Sequence, residues 1–328
     1  MKICILDNTS FKYNSKDKYS PILRGGETAV INLSQALRHL GHNITILSNC
    51  PNNELIDDIS WININHLDSN NLNRVFDVAI SNANNNLFDK ITSKTKIVLS
   101  HSIQTVEKFI RKKQLFSYLK HKPKVVLLSE YHKKKMTKLS TLFGYIRLNY
   151  AVDEIFLKAE LDNKIDENLS IFTSRADRNL DLLINIWNKY IFPKYNHGKL
   201  LITPPLSKID LSNNIYLRKM NTQQNMLNDL KKSKIFLVPG HKAELFCLAA
   251  EEARELCVPI ITLGIGCLTE RVVHEKTGFI AKNDKEFSNY VIELYNNKIL
   301  WNEMRNNLLK LRSSHKWEDV ARTLLAKI

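Results

Sequence analysis

Residues 238–280 read VPGHKAELFCLAAEEARELCVPIITLGIGCLTERVVHEKTGFI, and this stretch decides the fold. One apolar run, 235–238, stops at Pro239 and Gly240, and a second, 259–263, ends near two further glycines. A segment with helical spacing lies between them, so the order is strand, turn, helix, strand, turn, helix. In doubly wound sheets, ligands bind at the carboxyl ends of the strands. The glycines and carboxylates of this stretch fall at those ends.

Two glutamates, Glu244 and Glu252, flank the start of the helical segment and lie eight positions apart. A helix N-terminus offers free backbone N–H groups and the positive end of a dipole to phosphate. Carboxylates two helical turns apart can accept hydrogen bonds from ligand hydroxyls. Phosphate together with hydroxyls indicates a nucleotide sugar. The neighbouring Glu251 and Glu255 are interpreted as exposed helical charges.

The stretch resembles the retaining, nucleotide-sugar-dependent glycosyltransferases of the two-domain GT-B architecture, in particular their large family 4. That family carries E-x7-E within E-G-F-G-L-x-x-x-E-A-x-A-x-G-x-P-V, and residues 244–259 here read ELFCLAAEEARELCVP. Leu245, Cys247 and Cys257 replace three glycines of the family pattern. The resemblance extends over essentially the whole chain, through a linker at 147–156 to a closing S-W-E-like helix.

The resemblance implies roles for single residues around the first helix of the motif. Glu244 would contact the transferred sugar, and Glu252 would bind the ribose hydroxyls. Phe246, Cys247 and Leu248 fall in register with donor-binding positions of the family. Glu244 is therefore a candidate catalytic residue, and the other four are candidate donor-binding residues.

Two arginines, Arg175 and Arg178, follow the first predicted strand of the second half of the chain. The family has an Arg and a Lys here that bind the donor diphosphate. One guanidinium group can donate two parallel hydrogen bonds to phosphate oxygens, which suits diphosphate binding. The alternative is a pair of solvated loop arginines, and their place at a strand end favours donor binding.

The first half offers a glycine pair and a histidine at similar places. Gly25 and Gly26 open the first predicted helix, where a donor phosphate or the acceptor could approach the backbone, although a plain turn is the alternative. His101 follows a strand, as a histidine that faces the donor sugar does in the family. His101 is thus a second candidate catalytic residue, with a purely structural histidine as the open alternative. Glu27 is interpreted as a favourable charge at a helix N-terminus.

Strands and helices alternate along both halves, which predicts an α/β fold with parallel sheets. A helix is expected over 29–40, from the spacing of Val30, Leu33 and Leu37. Strands are expected at 2–6, 44–47, 78–81, 97–100, 125–129, 169–173, 199–203, 235–238, 259–263 and 278–281.

The predicted architecture is GT-B, with two Rossmann-like domains facing a central cleft. Residues 1–152, with a C-terminal helix at 314–328 that crosses back, would form the N-terminal acceptor domain. Residues 153–313 would form the nucleotide-sugar donor domain.

Composition restricts the cellular setting. No apolar run approaches the roughly 20 residues of a membrane span, and no signal-peptide pattern is seen near the N-terminus. The cysteines lack C-x-x-C spacing, so we expect reduced, buried thiols in a cytoplasmic protein. No D-x-D motif stands at a strand end, since Asp57 and Asp58 are adjacent. We therefore expect no metal and no cofactor, with a UDP- or GDP-linked sugar as the donor substrate.

The net charge of +15 is concentrated in one segment. Residues 108–138 contain eleven Lys or Arg and one acid, Glu130, a local net charge of +10. Phe109 and Phe116 are seven positions apart and could share a helix face. Such a segment suits an anionic membrane surface, which would make the enzyme peripheral at the inner face of the cell membrane. A solvated lysine-rich face is the alternative, and nucleic-acid binding is not expected because no recognised motif supports it.

Together these features predict a retaining, metal-independent glycosyltransferase of the hexosyltransferase type. It would move a sugar from a nucleotide sugar to a glycan or lipid-linked acceptor in the synthesis of a cell-surface polysaccharide or lipopolysaccharide. Two alternatives stay open: a nucleotide-sugar epimerase or hydrolase of the same fold, and a degenerate GT-B protein that binds a glycan without catalysis.

Overall fold

The computed structural model describes residues 1–20, 23–67, 74–161, 164–206, 211–219, 222–312 and 315–328. The chain divides into two compact units, residues 1–151 with 315–328, and residues 152–314. Each unit is built on a mostly parallel sheet with helices, so the predicted α/β class is correct. Position 314, the predicted start of the closing segment, lies outside the described residues.

The first unit contains an eight-stranded sheet in the order β3-β4-β2-β1-β5-β6-β7-β8. All neighbours are parallel except β3, which runs antiparallel to β4. The chain order reverses at β1, which lies between β2 and β5, so a crevice for a ligand is expected at the carboxyl ends of β1 and β5. The strands are β1 (Lys2–Leu6), β2 (Asn43–Ser48), β3 (Glu54–Ile56), β4 (Ile59–Asn63), β5 (Val75–Asn82), β6 (Thr92–Leu99), β7 (Lys124–Leu127) and β8 (Tyr145–Arg147).

The described residues of the first unit form five helices. The longest begins four residues before the predicted helix, and its apolar positions Val30, Leu33 and Leu37 are fully buried. The closing helix packs against it, so residues 315–328 belong to this unit. The helices are α1 (Gly25–His39), α2 (Val106–Arg111), α3 (Leu115–His121), α4 (Glu130–Lys135) and, at the end, α11 (Trp317–Leu325).

The second unit contains a six-stranded, wholly parallel sheet in the order β11-β10-β9-β12-β13-β14. The chain order reverses at β9, which lies between β10 and β12. The strands are β9 (Asp166–Phe172), β10 (Lys199–Ile202), β11 (Ile215–Leu217), β12 (Ser233–Leu237), β13 (Ile260–Thr262) and β14 (Gly278–Ile280). The helices are α5 (Glu154–Leu157), α6 (Leu180–Ile186), α7 (Gln223–Lys232), α8 (Leu248–Glu255), α9 (Asp284–Asn296) and α10 (Lys298–Leu311).

Segment 108–138 does not form the single helix face that the spacing of its aromatics suggested. It contains α2, α3, β7 and α4, and Lys113 between α2 and α3 has φ +53°, which ends the first helix. Phe109 packs in a buried cluster with Tyr118, whereas Phe116 is 79% exposed. The shared face of Phe109 and Phe116 was therefore a wrong prediction.

The five cysteines are free and buried, as expected. In the part of the chain that the structure describes, no helix combines the length and the apolar character needed to cross a bilayer.

Candidate functional site

The carboxyl ends of β9 and β12 lie side by side at the point where the chain order of the second sheet reverses. The loop after β9 carries Arg175 and Arg178, and the loop after β12 carries Glu244. Nε of Arg178 lies 3.2 Å from Oε1 of Glu244, and Arg175 is linked to Arg178 through a shared carboxylate, so the structure brings the three predicted residues together. This is the position in the sheet where ligands of doubly wound folds bind.

One further carboxylate completes the group. Asp177 accepts hydrogen bonds from Arg175 at 2.7 Å and from Arg178 at 2.9 Å, both at Oδ2. Arg178 is 19% exposed at its side chain and Arg175 is 56% exposed. The sequence reasoning missed Asp177, although it lies between the two arginines in the chain.

The carboxyl group of Glu244 lies in a nearly enclosed environment. Burial raises its pKa above the ordinary value, while the charge of Arg178 and a hydrogen bond with Cys247 act in the opposite direction. The carboxylate of Glu244 in turn contributes, after burial, to raising the pKa of the Cys247 thiol. Glu244 is thus a carboxyl group whose charge depends on the guanidinium beside it.

Two cysteines that stand where the resembled family has glycine adopt a left-handed backbone conformation. Cys247, which precedes α8, has φ +60°, and Cys257, which follows it, has φ +56°. This left-handed region favours glycine, so both cysteines carry a conformational cost of about 1–2 kcal/mol. The backbone at both positions therefore has the conformation in which glycine is the usual residue.

The loops after β12 and β13 interlock through glycines that remain. Gly240 and Gly266 have φ +97° and +81°, and a Cβ at Gly266 would lie 2.5 Å from the carbonyl oxygen of His241 and 2.9 Å from that of Glu244. The backbone N–H of Cys267 donates to the same Glu244 carbonyl at 3.1 Å. The second loop thus fixes the backbone that presents Glu244.

We expect Gly266→Ala to lower the free energy of unfolding by about 2–4 kcal/mol, because it adds a backbone clash to an unfavourable φ. Gly264→Ala is the matched control. Its φ is +69°, but its Cβ would meet only the side-chain methyls of Ile280 and Thr269 at 3.0 and 3.1 Å. We expect about 1–2 kcal/mol for that variant. Denaturant unfolding of both proteins measures the difference, and equal losses would contradict the interlock.

Glu252 lies on α8 and is buried. Burial raises its pKa to about 7, against the opposing charge of Arg218 and a hydrogen bond from Gln223, and the charge of Asp153 raises it further. Arg218 is itself buried after β11 and pairs with Asp229 at 3.1 Å. A buried carboxyl group with a strongly shifted pKa in a ligand-binding region is a functional candidate. No sequence pattern singled out Arg218.

Glu251 and Glu255 are not exposed, which corrects the prediction. Both are buried, and Arg254 pairs with each, at 2.7 Å and 2.9 Å. Glu251 also pairs with Arg271 at 2.8 Å, and the Arg271 guanidinium lies 4.2 Å from the centre of the Phe246 ring. These two glutamates stabilise the motif, because their charges are compensated where they are buried.

The remaining predicted donor residues lie at the start of α8. Phe246 and Cys247 are buried, and Leu248 is half-buried at the first position of the helix. Their side chains are turned into the unit or partly covered, so what they can offer a ligand is backbone N–H groups at a helix N-terminus. His241 accepts a hydrogen bond from the backbone N–H of Ala243 at 3.1 Å, a local structural role.

In the first unit, His101 is part of a hydrogen-bonded chain. Its Nδ1 lies 2.9 Å from Oδ1 of Asn82, and its Nε2 lies 2.9 Å from the hydroxyl of Tyr150. Burial lowers the pKa of His101 to about 4, so the ring is neutral at pH 7. The Asn82 amide also hydrogen-bonds Asp7 through its donor end. Its Oδ1 then accepts from His101 Nδ1–H, and His101 Nε2 accepts from Tyr150.

Gly26 and His101 meet at the crevice between β1 and β5. An added Cβ at Gly26 would lie 3.2 Å from His101 Nδ1, so glycine is needed for this close approach. Gly25 is exposed at the first position of α1. Glu27 is buried and accepts a hydrogen bond from Thr9 at 2.9 Å, which fits a structural charge in the first turn.

In the described ranges, no three His, Cys, Asp or Glu side chains come close enough to hold a metal ion.

Two Rossmann-like units in one chain, each with a mostly parallel sheet whose strand order reverses, at β1 and at β9 respectively, form the GT-B fold that the sequence predicted. Residues 206–310 match the family model described as glycosyl transferases group 1. That match runs from before β11 into the last turn of α10 and includes α8 and the Glu244–Glu252 spacing.

Solved structures support the same class across the whole chain. WaaG, a glycosyltransferase involved in lipopolysaccharide biosynthesis, is 10% identical with a TM-score of 0.69, covering 100% of this chain and 99% of that one. Anabaena Alr3699/HepE in complex with UDP is 12% identical with a TM-score of 0.70, at 100% and 99% coverage. At these identities the likeness shows the fold.

A third likeness is partial. S. aureus TarM, in a complex that contains UDP, is 17% identical with a TM-score of 0.58 over 76% of this chain. The chain spans 54% of the length of that TarM structure. Among curated proteins, no sequence match was found.

Proposed function

We propose that the protein is a retaining glycosyltransferase that transfers a sugar from a nucleotide sugar to a glycan or lipid-linked acceptor. The observation that carries this proposal is the group of charged side chains at the carboxyl ends of β9 and β12, where the strand order of the second sheet reverses. There Arg175 and Arg178 lie beside Glu244, next to the N-terminus of α8, with Glu252 buried on the same helix. The WaaG, Alr3699/HepE and TarM structures, two of them with UDP, support this direction.

The residues suit a reaction in which a diphosphate leaves. Arg178 and Arg175 would bind the diphosphate and stabilise the charge that develops on it. The α8 N-terminus would add backbone N–H donors, and Glu252 would accept hydrogen bonds from the ribose hydroxyls. Glu244 would hold a hydroxyl of the transferred sugar. The acceptor would attack from the side of the leaving group, and a diphosphate oxygen would take the acceptor proton.

The hydrogen bonds of His101 limit how this residue could take part in the proposed reaction. Both of its ring nitrogens have partners within the first unit. A ligand hydroxyl could therefore reach His101 Nε2 only by replacing the hydroxyl of Tyr150. In this proposal His101 orients substrate as a neutral imidazole and does not act as an acid near pH 7.

The test is binding followed by turnover. We expect UDP or GDP to raise the melting temperature, because a ligand that binds only the native state stabilises it. Transfer of labelled sugar to a lipid-linked acceptor, unchanged by a chelator, would then support the transferase. Donor epimerisation or hydrolysis without transfer would favour the same-fold alternative. Glycan binding without any donor turnover would favour the degenerate reading.

A second proposal concerns the surface of α2 and α3, called here the α2–α3 surface. Ile110 and Phe116 are 61% and 79% exposed on it, and Arg111, Lys112 and Lys113 lie between them with exposed side chains. Exposed apolar side chains beside cations suit an anionic bilayer.

We expect the protein to sediment with vesicles that contain phosphatidylglycerol and less so at high salt, since each cation contributes about 1 kcal/mol and salt screens it. Lys112→Glu with Lys113→Glu, and separately Phe116→Ser, should each weaken this binding. Ile299→Ser is the control, since Ile299 is 74% exposed on the second unit. Changing Lys133, Lys134 and Lys135 to Glu tests whether α4 contributes. Equal binding to neutral vesicles would favour the solvated lysine-rich face instead.

A further inference from the structure

Asp177 holds both arginines of the candidate diphosphate site with a single oxygen. Its Oδ2 accepts from Arg175 at 2.7 Å and from Arg178 at 2.9 Å. Within the described part of the chain, its second oxygen, Oδ1, is buried and has no hydrogen-bond partner. The hydroxyl oxygens of Thr173 and Ser174, in the same loop, are likewise buried without partners there. The loop after β9 thus contains polar atoms that the protein itself does not satisfy.

We propose that Asp177 occupies the place of the donor diphosphate on Arg175 and Arg178 in the ligand-free protein, and that the diphosphate displaces it. This inference rests on the proposed function, because it takes the two arginines as the diphosphate site. Asp177 is then an internal competitor that sets donor affinity.

The chemistry of the competition follows from the shared geometry of the two anions. Carboxylate and phosphate oxygens both accept hydrogen bonds from guanidinium groups in pairs. The Asp177 side chain is 34% exposed and that of Arg175 is 56% exposed, so their ion pair is weak enough to exchange. A diphosphate carries more charge than one carboxylate and can offer separate oxygens to each arginine, whereas Asp177 binds both with a single oxygen. The exchange therefore favours a diphosphate over a smaller or less charged anion.

The local charge count gives the same result. Arg175 and Arg178 contribute two positive charges, and Asp177 and Glu244 contribute two negative charges when ionised. With both carboxylates in contact, an approaching diphosphate meets no net positive charge. Movement of Asp177 away from the arginines restores the attraction, so removing its charge should tighten diphosphate binding.

The experiment measures binding by titration calorimetry of the full chain with UDP, GDP, uridine, guanosine and inorganic pyrophosphate. For Asp177→Asn we expect the nucleoside diphosphate that binds, and pyrophosphate, to bind about tenfold more tightly, with nucleoside affinity unchanged. Asp181→Asn is the matched control. It removes the same charge four residues later, from an exposed position in the first turn of α6, and should change nothing.

Weaker or unchanged diphosphate binding in Asp177→Asn would overturn the proposal. Asp177→Ser guards against a fold effect, because the two variants share only the loss of the carboxylate and should agree. Equal tightening in Asp181→Asn would show a general charge effect and also overturn it. Wild-type protein that binds no diphosphate would instead contradict the site itself, and with it the proposed function.

Discussion

Arg178→Ala is expected to lower the rate of sugar transfer about 100- to 1000-fold, while binding of the free nucleoside changes little. Arg178 is the more enclosed of the two arginines, and it also pairs with Glu244 at 3.2 Å. A fixed cation beside a leaving diphosphate matters most when charge develops on that group, and removing one such donor typically costs this factor. Steady-state rates with the nucleotide sugar, set against nucleoside affinity, measure the effect.

A graded comparison sharpens this expectation. Arg175→Ala should cost roughly tenfold, because its guanidinium is largely exposed and interacts through a higher effective dielectric. Lys285→Ala, an exposed cation in the first turn of α9, should leave the rate unchanged. Arg178→Lys keeps the charge but loses the paired donors and should fall between the two arginine variants. Equal losses for nucleoside and nucleotide sugar would remove Arg178 from the diphosphate site.

Glu252→Gln is expected to weaken binding of a ribonucleoside diphosphate by roughly 1.5–3 kcal/mol, about 10- to 150-fold. The carboxylate would lose charge-assisted hydrogen bonds from the ribose hydroxyls. The 2′-deoxynucleotide provides an internal control, since wild-type protein should prefer the ribonucleotide and the variant should discriminate far less. Calorimetry with both nucleotides measures this, and an unchanged preference would contradict the assignment.

The pH dependence of this binding has a definite sign. Because burial raises the pKa of Glu252 to about 7, the accepting carboxylate forms only as pH rises through 7. Wild-type affinity should therefore rise by up to about tenfold between pH 6 and 8, relative to Glu252→Gln measured over the same range. The variant corrects for the titration of the nucleotide itself.

The free energy of unfolding should fall as pH rises, whereas nucleotide affinity rises. The raised pKa of Glu252 favours its protonated form in the folded state, so its contribution to stability is full below pH 4.5 and is lost as pH rises through about 7. The loss is of the order of 3 kcal/mol. Glu252→Gln should avoid it and melt higher than wild type at pH 8.

The same substitution at the neighbouring Glu251 provides a comparison for the stability effect. Glu251→Gln should instead destabilise the protein by about 3 kcal/mol, because Glu251 is the buried partner of Arg254 and Arg271. Two adjacent glutamates on one helix would then have opposite effects on stability. If both variants melted alike at pH 8, the distinction between a site carboxyl group with a raised pKa and a structural carboxylate paired with two arginines would fail.

Strands and helices were predictable from the sequence wherever apolar runs alternate with segments of helical periodicity. The missed strands are the three-residue edge strands β3, β8 and β11, together with β4 beside β3. β3 and β4 form a hairpin whose turn is Asp57–Asp58, with φ values of +51° and +57°. Asp tolerates the left-handed conformation that a two-residue hairpin turn requires, but this pair was interpreted as part of a loop. β8 and β11 contain three residues each, too few for a periodicity to show.

The candidate site was predictable in its motif residues and not in their partners. The spacing of Glu244 and Glu252 is visible in the sequence, but the burial of Glu251 and Glu255 depends on Arg254 and Arg271. Which charges on a short helix are buried is decided by the neighbouring loops. The sequence of α8 therefore suggests an exposed charged face, although Glu251 and Glu255 on it are buried and paired with Arg254.

The chain leaves the first unit at residue 151 and returns to it at 315. During synthesis, the partner that packs on α1 is therefore made only after every residue of the second unit has been translated. The second unit is contiguous and can fold while the first is still incomplete, so the part begun first is finished last. The part of α1 that α11 covers stays exposed on the ribosome for more than 160 residues of elongation, an interval in which chaperone binding would protect it.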